Sequence, residues 1–284
     1  MKPFPIPVVG AGSHVEEEAL EYIDMPKDMS TFAVPRVDED ADPAVRAEAF
    51  HVLEQLLDAM KAWTFGAPSA PRIDLLPLRP PVRAAINELL GEGEVSLIVE
   101  GTPRLRIQET VFAGVWRVLG EADDGVIQDV VCACALPEEA IARARAGSRR
   151  DLVAPALPDG VMNAPAVLTE LAERATNYRE GDEAHIVNLT LLPMSPADHG
   201  YLGSALGGGT VTVLSRGYGN CRVTSTALEN TWWVQYFNSV DTVILSTIEV
   251  TDVPDVVPAA ADDFADSIER LGEWVETLRA WEAS

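Results

Sequence analysis

The sequence predicts an α+β fold of two tandem, pseudo-symmetric α-β-α-β-β-β units with antiparallel sheets, followed by a C-terminal helix. Two observations lead there. First, shifting the chain by 116 residues brings two long stretches into register without a gap. Leu75-Leu76-Pro77 falls on Leu191-Leu192-Pro193, Leu90-Gly91 on Leu206-Gly207, Arg106 on Arg222, Thr110 on Thr226 and Trp116 on Trp232. Between 75 and 118 there are 13 identities in 44 positions. Second, each copy runs from helical spacing of apolar residues into alternating strand spacing, and turn residues mark the changes.

The elements follow in order. Residues 1–43 hold three basic and ten acidic side chains and six prolines, and read as an acidic, proline-rich arm. The first unit spans 44–140. Val45, Ala49, Val52, Leu53, Leu56, Leu57 and Met60 make one helical stripe over Pro43–Trp63, with Asp42 as N-cap and Pro43 at the first helical position. A short strand, 73–78, precedes a second helix opened by Pro80-Pro81 and closed by Gly91. Strands are expected at 94–100, 105–119 and 126–135, with Gly101-Thr102-Pro103 as turn chemistry between the first two. The second unit, 160–256, repeats this. A helix is expected over 164–178 and a strand over 186–192. Pro196 opens a second helix that ends at Gly207, and strands follow at 210–216, 221–237 and 242–251. The last segment, 257–284, is an amphipathic helix. Phe264, Ile268, Leu271, Val275 and Leu278 form its stripe, and Trp274 and Trp281 widen it. A stripe that wide suits docking on the two-unit body, with a seam for a partner helix as the alternative.

Trp116 and Trp232 sit at equivalent points of the long strand and read as the core anchors of the two sheets. On the opposite strand face, Arg117 in the first copy is matched by Trp233 in the second, and Phe237 shares that face. An aromatic where the twin carries arginine marks either a contact between units or a surface for a protein partner, so Trp233 and Phe237 are the candidate partner-binding residues.

Composition restricts the function. Lys+Arg is 21 and Asp+Glu is 45, a net charge of −24, which argues against a phosphate-backbone partner and favours a basic one. No apolar run is long enough to cross a bilayer, and the start lacks a basic, then apolar, secretory pattern. Three cysteines make no disulfide framework, so a cytoplasmic, reducing location is expected. Cys132 and Cys134 point to one side of their strand, where they could pair or share a soft metal. Cys221 is the only other thiol, so a four-ligand site is incomplete, and two small buried strand residues are the simpler reading. The histidines, His14, His51, His185 and His199, form no metal-binding spacing, and Asp198-His199 looks like a helix start. There is no nucleophile elbow and no phosphate loop, so no catalytic, cofactor or metal residue is assigned. Glu109, the one acid inside a long strand, is expected to be an exposed strand position.

Four stretches resemble one known family: Phe4-Pro5-Ile6-Pro7-Val8-Val9; Met25-Pro26-Lys27-Asp28-Met29-Ser30-Thr31-Phe32; Leu90-Gly91-Glu92-Gly93-Glu94-Val95 with Ile107–Val118; and Asn230-Thr231-Trp232-Trp233-Val234-Gln235-Tyr236-Phe237-Asn238-Ser239. They are similar to the HupH/HyaF proteins of hydrogenase expression and formation. The resemblance implies an accessory protein, not an enzyme, in maturation of an uptake [NiFe] hydrogenase. It implies a chaperone that attends the iron–sulfur small-subunit precursor before twin-arginine export, and other maturation factors as further partners. It carries over no catalytic residue, and it places the family's C-terminal domain on the second unit, which holds Asn230-Thr231-Trp232-Trp233. The thiol pair Cys132 and Cys134 keeps open an alternative, a thiol-dependent redox factor. A scaffold bridging maturation proteins is a third class. Cys-x-Cys is tighter than the redox spacing and has no helix N-terminus beside it.

Overall fold

A computed structural model describes residues 33–37, 41–217 and 219–282. Most of the expected arm, with His14 and the first two family-like stretches, lies outside the described residues. The described chain forms six helices and ten strands: α1 (Pro43–Ala62), β1 (Arg72–Asp74), α2 (Pro80–Leu90), β2 (Val95–Val99), β3 (Arg104–Glu109), β4 (Val115–Ala122), β5 (Gly125–Ala133), α3 (Glu138–Ala146), α4 (Ala164–Asn177), β6 (His185–Asn188), α5 (Pro196–Leu206), β7 (Gly208–Ser215), β8 (Asn220–Thr226), β9 (Thr231–Phe237), β10 (Val243–Val250) and α6 (Ala261–Glu282).

The α+β class is as expected, but each half has five strands rather than four. The long strands expected at 105–119 and 221–237 are both hairpins. At the first break Thr110 Oγ1 accepts from the Phe112 N–H (3.2 Å) and Gly114 takes φ 78°. At the second, Thr226 Oγ1 accepts from the Leu228 N–H (3.1 Å) and Asn230 takes φ 54°. A hydroxyl turn followed by a left-handed residue reverses the chain, and Gly and Asn are the residues that tolerate that conformation. The strands expected over 73–78 and 186–192 are also shorter. The second passes into a 3₁₀ turn, Leu189–Leu191, where Asn188 Oδ1 accepts from the Thr190 N–H (3.0 Å). Helix α3 has no counterpart among the expected elements. Pro137, Glu138 and Glu139 before Arg143 and Arg145 are a modest start-and-stop signal for it.

Helix ends follow local chemistry. Asp42 caps α1 by accepting from the Ala44 N–H (2.9 Å), with Pro43 behind it. Helices α2 and α5 both open on proline and close on a left-handed glycine, Gly91 (φ 63°) and Gly207 (φ 65°).

All ten strands join one antiparallel sheet in the order β1-β5-β4-β3-β2-β7-β8-β9-β10-β6. The two meanders, β2–β5 and β7–β10, meet at the β2–β7 pair. Its register centres on Leu97 opposite Val213, two residues separated by the repeat distance. Superposing 73–118 on 189–234 measures how closely the halves match.

Three apolar clusters hold the layers. On one sheet face α1, α2 and α6 pack over β4 and β5, and α4 with α5 packs over β6 and β10. The other face forms a single cluster shared by both meanders, in which Trp116, Val118 and Val130 join Trp232, Val234, Val211 and Val213, with Ala140 and Ala144 of α3 against them. Helix α6 docks on α1. Phe264 packs edge-on to Trp63 (5.7 Å), Trp281 lies against Phe50 (6.5 Å), and Trp274 Nε1 donates to the Leu89 carbonyl (3.0 Å). Its stripe is thus covered by the first half, although it follows the second in sequence.

Candidate functional site

Cys132 lies in β5 and Cys134 just past its end, and both lie in or against the common core. Hydrogen bonding to Cys134 and burial both push the Cys132 thiol well above its ordinary range, against thiolate formation. Cys221 is buried in the second half and its thiol is pushed up to about 11. Among the described residues no three His, Cys, Asp or Glu side chains gather as a metal site.

Glu109 departs from expectation. It ends β3 on the same face as the buried Leu105 and Ile107, and its Oε1 accepts from the Gly114 N–H (3.1 Å). Burial pushes its carboxyl up to about 7, with Glu94 and Asp263 adding to the rise. Its folded pKa lies above its unfolded one, so its favourable contribution is complete below about pH 4.5 and is lost as pH rises through about 7. We expect Glu109→Gln, which keeps the acceptor for Gly114, to remove a loss of about 3 kcal/mol between those limits. Urea titrations of both proteins at acid and alkaline pH measure it; parallel pH profiles would show that Glu109 ionises normally.

Trp233 does not lie between the halves. Its indole packs half-buried against the α4–α5 core of its own half, 3.8 Å from where a Cβ on Gly203 would sit, and Nε1 donates to Ser246 Oγ (2.9 Å). Phe237, further along β9, is half-buried with the Arg222 guanidinium 5.1 Å above its ring. The repeat register puts Asn87 opposite Gly203 and Arg117 opposite Trp233. In the first half Arg117 turns to Asp129 through two hydrogen bonds (3.0 and 2.9 Å), and Arg83 adds a third contact (3.4 Å). Beside it an open cleft of about 320 Å³ remains between α2 and the floor of β2–β4, lined by Asn87, Glu88, Ser96, Arg106, Gln108 and Arg117. The two halves thus fill one position differently, with an aromatic in one and an ion pair in the other.

Asp198 and the three described histidines are structural. Asp198 forms a capping box with Ser195, and its Oδ1 accepts from the N–H groups of Met162, Asn163 and Ala164 (2.8–2.9 Å), tying the starts of α4 and α5 together. Burial raises its pKa, but these bonds outweigh it and hold the carboxyl well below the usual range. Sequence reasoning saw the helix start in Asp198 but not the link to α4, which lies more than 30 residues away in the chain. His199 is pushed down by burial, His185 bonds Glu170 (2.7 Å) and His51 bonds Gln55 (2.8 Å).

The arrangement is a folded body with Asp129 held by two arginines and Cys132 and Cys221 buried, whose open features are surface ones. Its family is shown by comparison. The conserved C-terminal region of HupH hydrogenase expression proteins matches in two stretches, residues 47–148 and 161–278, so the likeness covers the first half as well as the second. The chain belongs to this hydrogenase expression and formation family. It is 46% identical to hydrogenase expression/formation protein HoxQ of Cupriavidus necator, over 98% of this chain and 100% of that one. It is 41% identical to HupH of Rhodobacter capsulatus, over 97% and 98%. It is 33% identical to the hydrogenase-1 operon protein HyaF of Escherichia coli, over 72% and 73%. A solved HupH from Thiobacillus denitrificans aligns with 39% of this chain and 92% of its own at 33% identity and a TM-score of 0.37.

Proposed function

We propose that this chain is a non-enzymatic accessory protein in the maturation of an uptake [NiFe] hydrogenase, and that it holds the iron–sulfur small subunit before export. The observation that carries the reading is relatedness along nearly the whole chain to proteins named for hydrogenase expression and formation. The physical chemistry agrees with a holding role. A surface of net charge −24 draws a basic precursor segment by long-range steering, which raises association rate and weakens with salt. Thiols pushed toward the neutral form favour this reading over the thiol-dependent redox factor. No helix among the described residues is long and apolar enough to cross a membrane, and we place the protein in the cytoplasm, where the precursor is made. Of the two aromatic candidates, we take Phe237, at the end of β9 beneath Arg222, as the one offered to a partner, because Trp233 packs against the α4–α5 core of its own half.

The test is affinity purification of the tagged chain from cells assembling the hydrogenase. The small-subunit precursor should co-purify, and added salt should mainly slow its association in surface-plasmon kinetics. Recovery of the large subunit alone, or of no hydrogenase component, sinks the proposal.

A further inference from the structure

The ten-stranded sheet has two ends, and they are finished differently. At one end β1 has three residues, follows Pro71 and carries Arg72 and Asp74, with Arg72 ion-paired to Glu139. Charge, proline and shortness are the features that keep an edge from pairing with another chain. At the other end β6 reads His185-Ile186-Val187-Asn188 and pairs, among the described residues, with β10 alone. It has no proline, lysine or arginine. Its one titratable side chain, His185, is drawn off to Glu170. Val187 is buried beneath α4 and α5, while Ile186 points to the other face and is 55% exposed.

The apolar surface continues past the strand. The 3₁₀ turn runs on beside β10, where Thr190 Oγ1 accepts from the Ser246 N–H (2.9 Å). That places Leu191, 79% exposed, next to the stretch of β10 holding Ile244, 57% exposed at a bulge. An unpaired backbone edge with exposed side chains along it is what strand addition requires: the edge supplies hydrogen bonds and the side chains supply selectivity.

The surrounding charge says what occupies it. Asp182 and Glu183 lead into β6, both exposed, Glu180 before them is ion-paired to Arg145 (3.1 Å), and Glu170 stands beside His185. A second copy carries the same net charge of −24 and would be repelled. The chain's own residues 1–32 carry six acidic and two basic side chains, and would be repelled as well. A basic partner is favoured on both counts.

We infer that the β6 edge, with Ile186, Leu191 and Ile244, is a strand-addition site for an extended apolar segment of a partner protein flanked by basic residues. It names the surface by which a protein partner is held, and so rests on the proposed holding role.

The probe is a short fluorescein-labelled peptide of alternating valine and threonine behind two lysines, followed by anisotropy and by amide hydrogen exchange. It should bind, slow exchange in β6 but not in β1, and bind less well when glutamates replace its lysines. Ile186→Lys should weaken it by about tenfold or more, by placing charge on the edge and against the probe's own lysines, and Leu191→Lys should weaken it similarly. Both side chains are exposed, so thermal stability should not change, and circular dichroism checks this. Equal binding by both variants, protection away from β6, or no binding overturns the inference. So does a concentration-dependent dimer that Ile186→Lys dissolves, since the edge would then serve a second copy. Co-purification separates this from the functional reading. If wild type captures no hydrogenase component, that reading fails while probe binding stands. If Ile186→Lys captures the component as well as wild type does, the edge is not the surface.

Discussion

Replacing Trp116 with alanine should cost about 3–5 kcal/mol, the range for removing a large aromatic from a core that cannot collapse around the void. Trp116 is fully buried in the cluster that both meanders share, and its Nε1 donates to the Cys134 carbonyl (2.9 Å). Alanine removes the packing and leaves that carbonyl without its donor. Trp232 should behave alike. It is almost as buried, and its Nε1 serves the Thr251 and Asp252 carbonyls (both 3.2 Å) at the matching place in the second half. Because one cluster includes both indoles, either substitution should loosen the whole fold and not one half. Urea titration followed by circular dichroism should show one transition moved to lower denaturant. A loss below about 1 kcal/mol at either site would mean that the indole is not a core residue.

The second large effect is expected at Asp129. Its carboxylate is almost wholly buried between the guanidinium groups of Arg117 and Arg83. Asp129→Ala strands two partly buried cations and should cost about 3–5 kcal/mol. The informative comparison is the double replacement Arg117→Met with Asp129→Leu. It removes the closer, more buried pair and leaves only Arg83, the more exposed of the two cations, without Asp129, and should recover a large part of the loss, because a buried ion pair is often no more stabilising than apolar residues of similar size. The second half supports this, since Trp233 on Gly203 fills the equivalent position without any ion pair. If the double variant is as unstable as Asp129→Ala, the pair does more than neutralise itself, and the adjoining cleft is the place to look for that role.

The repeat and the helix ends were legible in the sequence because both depend on local chemistry. Pro43 after Asp42, Pro80, Pro196, Gly91 and Gly207 specify where helices start and stop through backbone angles and orphan hydrogen bonds, which need no distant partner. The hairpins at 110–114 and 226–230 were legible in principle. Gly114 and Asn230 occupy equivalent positions and both take positive φ, but the apolar and aromatic residues around them read as continuous strand. Glu109 was misjudged because its charge suggested exposure, whereas strand alternation puts it on the same buried face as Leu105 and Ile107, opposite Trp116.

The sequence by itself determined the class of the fold, the core tryptophans and the family, because periodicity, capping and stretches of shared residues are carried along the chain. Only the tertiary structure decided that the two meanders join edge to edge at Leu97 and Val213, that α6 returns to cover the first half, and that Arg117 and Trp233 are alternative fillings of one position. It alone decided, too, that among the described residues the sheet ends bare at β6 and guarded at β1. Each of these depends on which surfaces meet across long separations in the chain, and that is settled by the burial of whole faces and not by the preference of any residue for its neighbours.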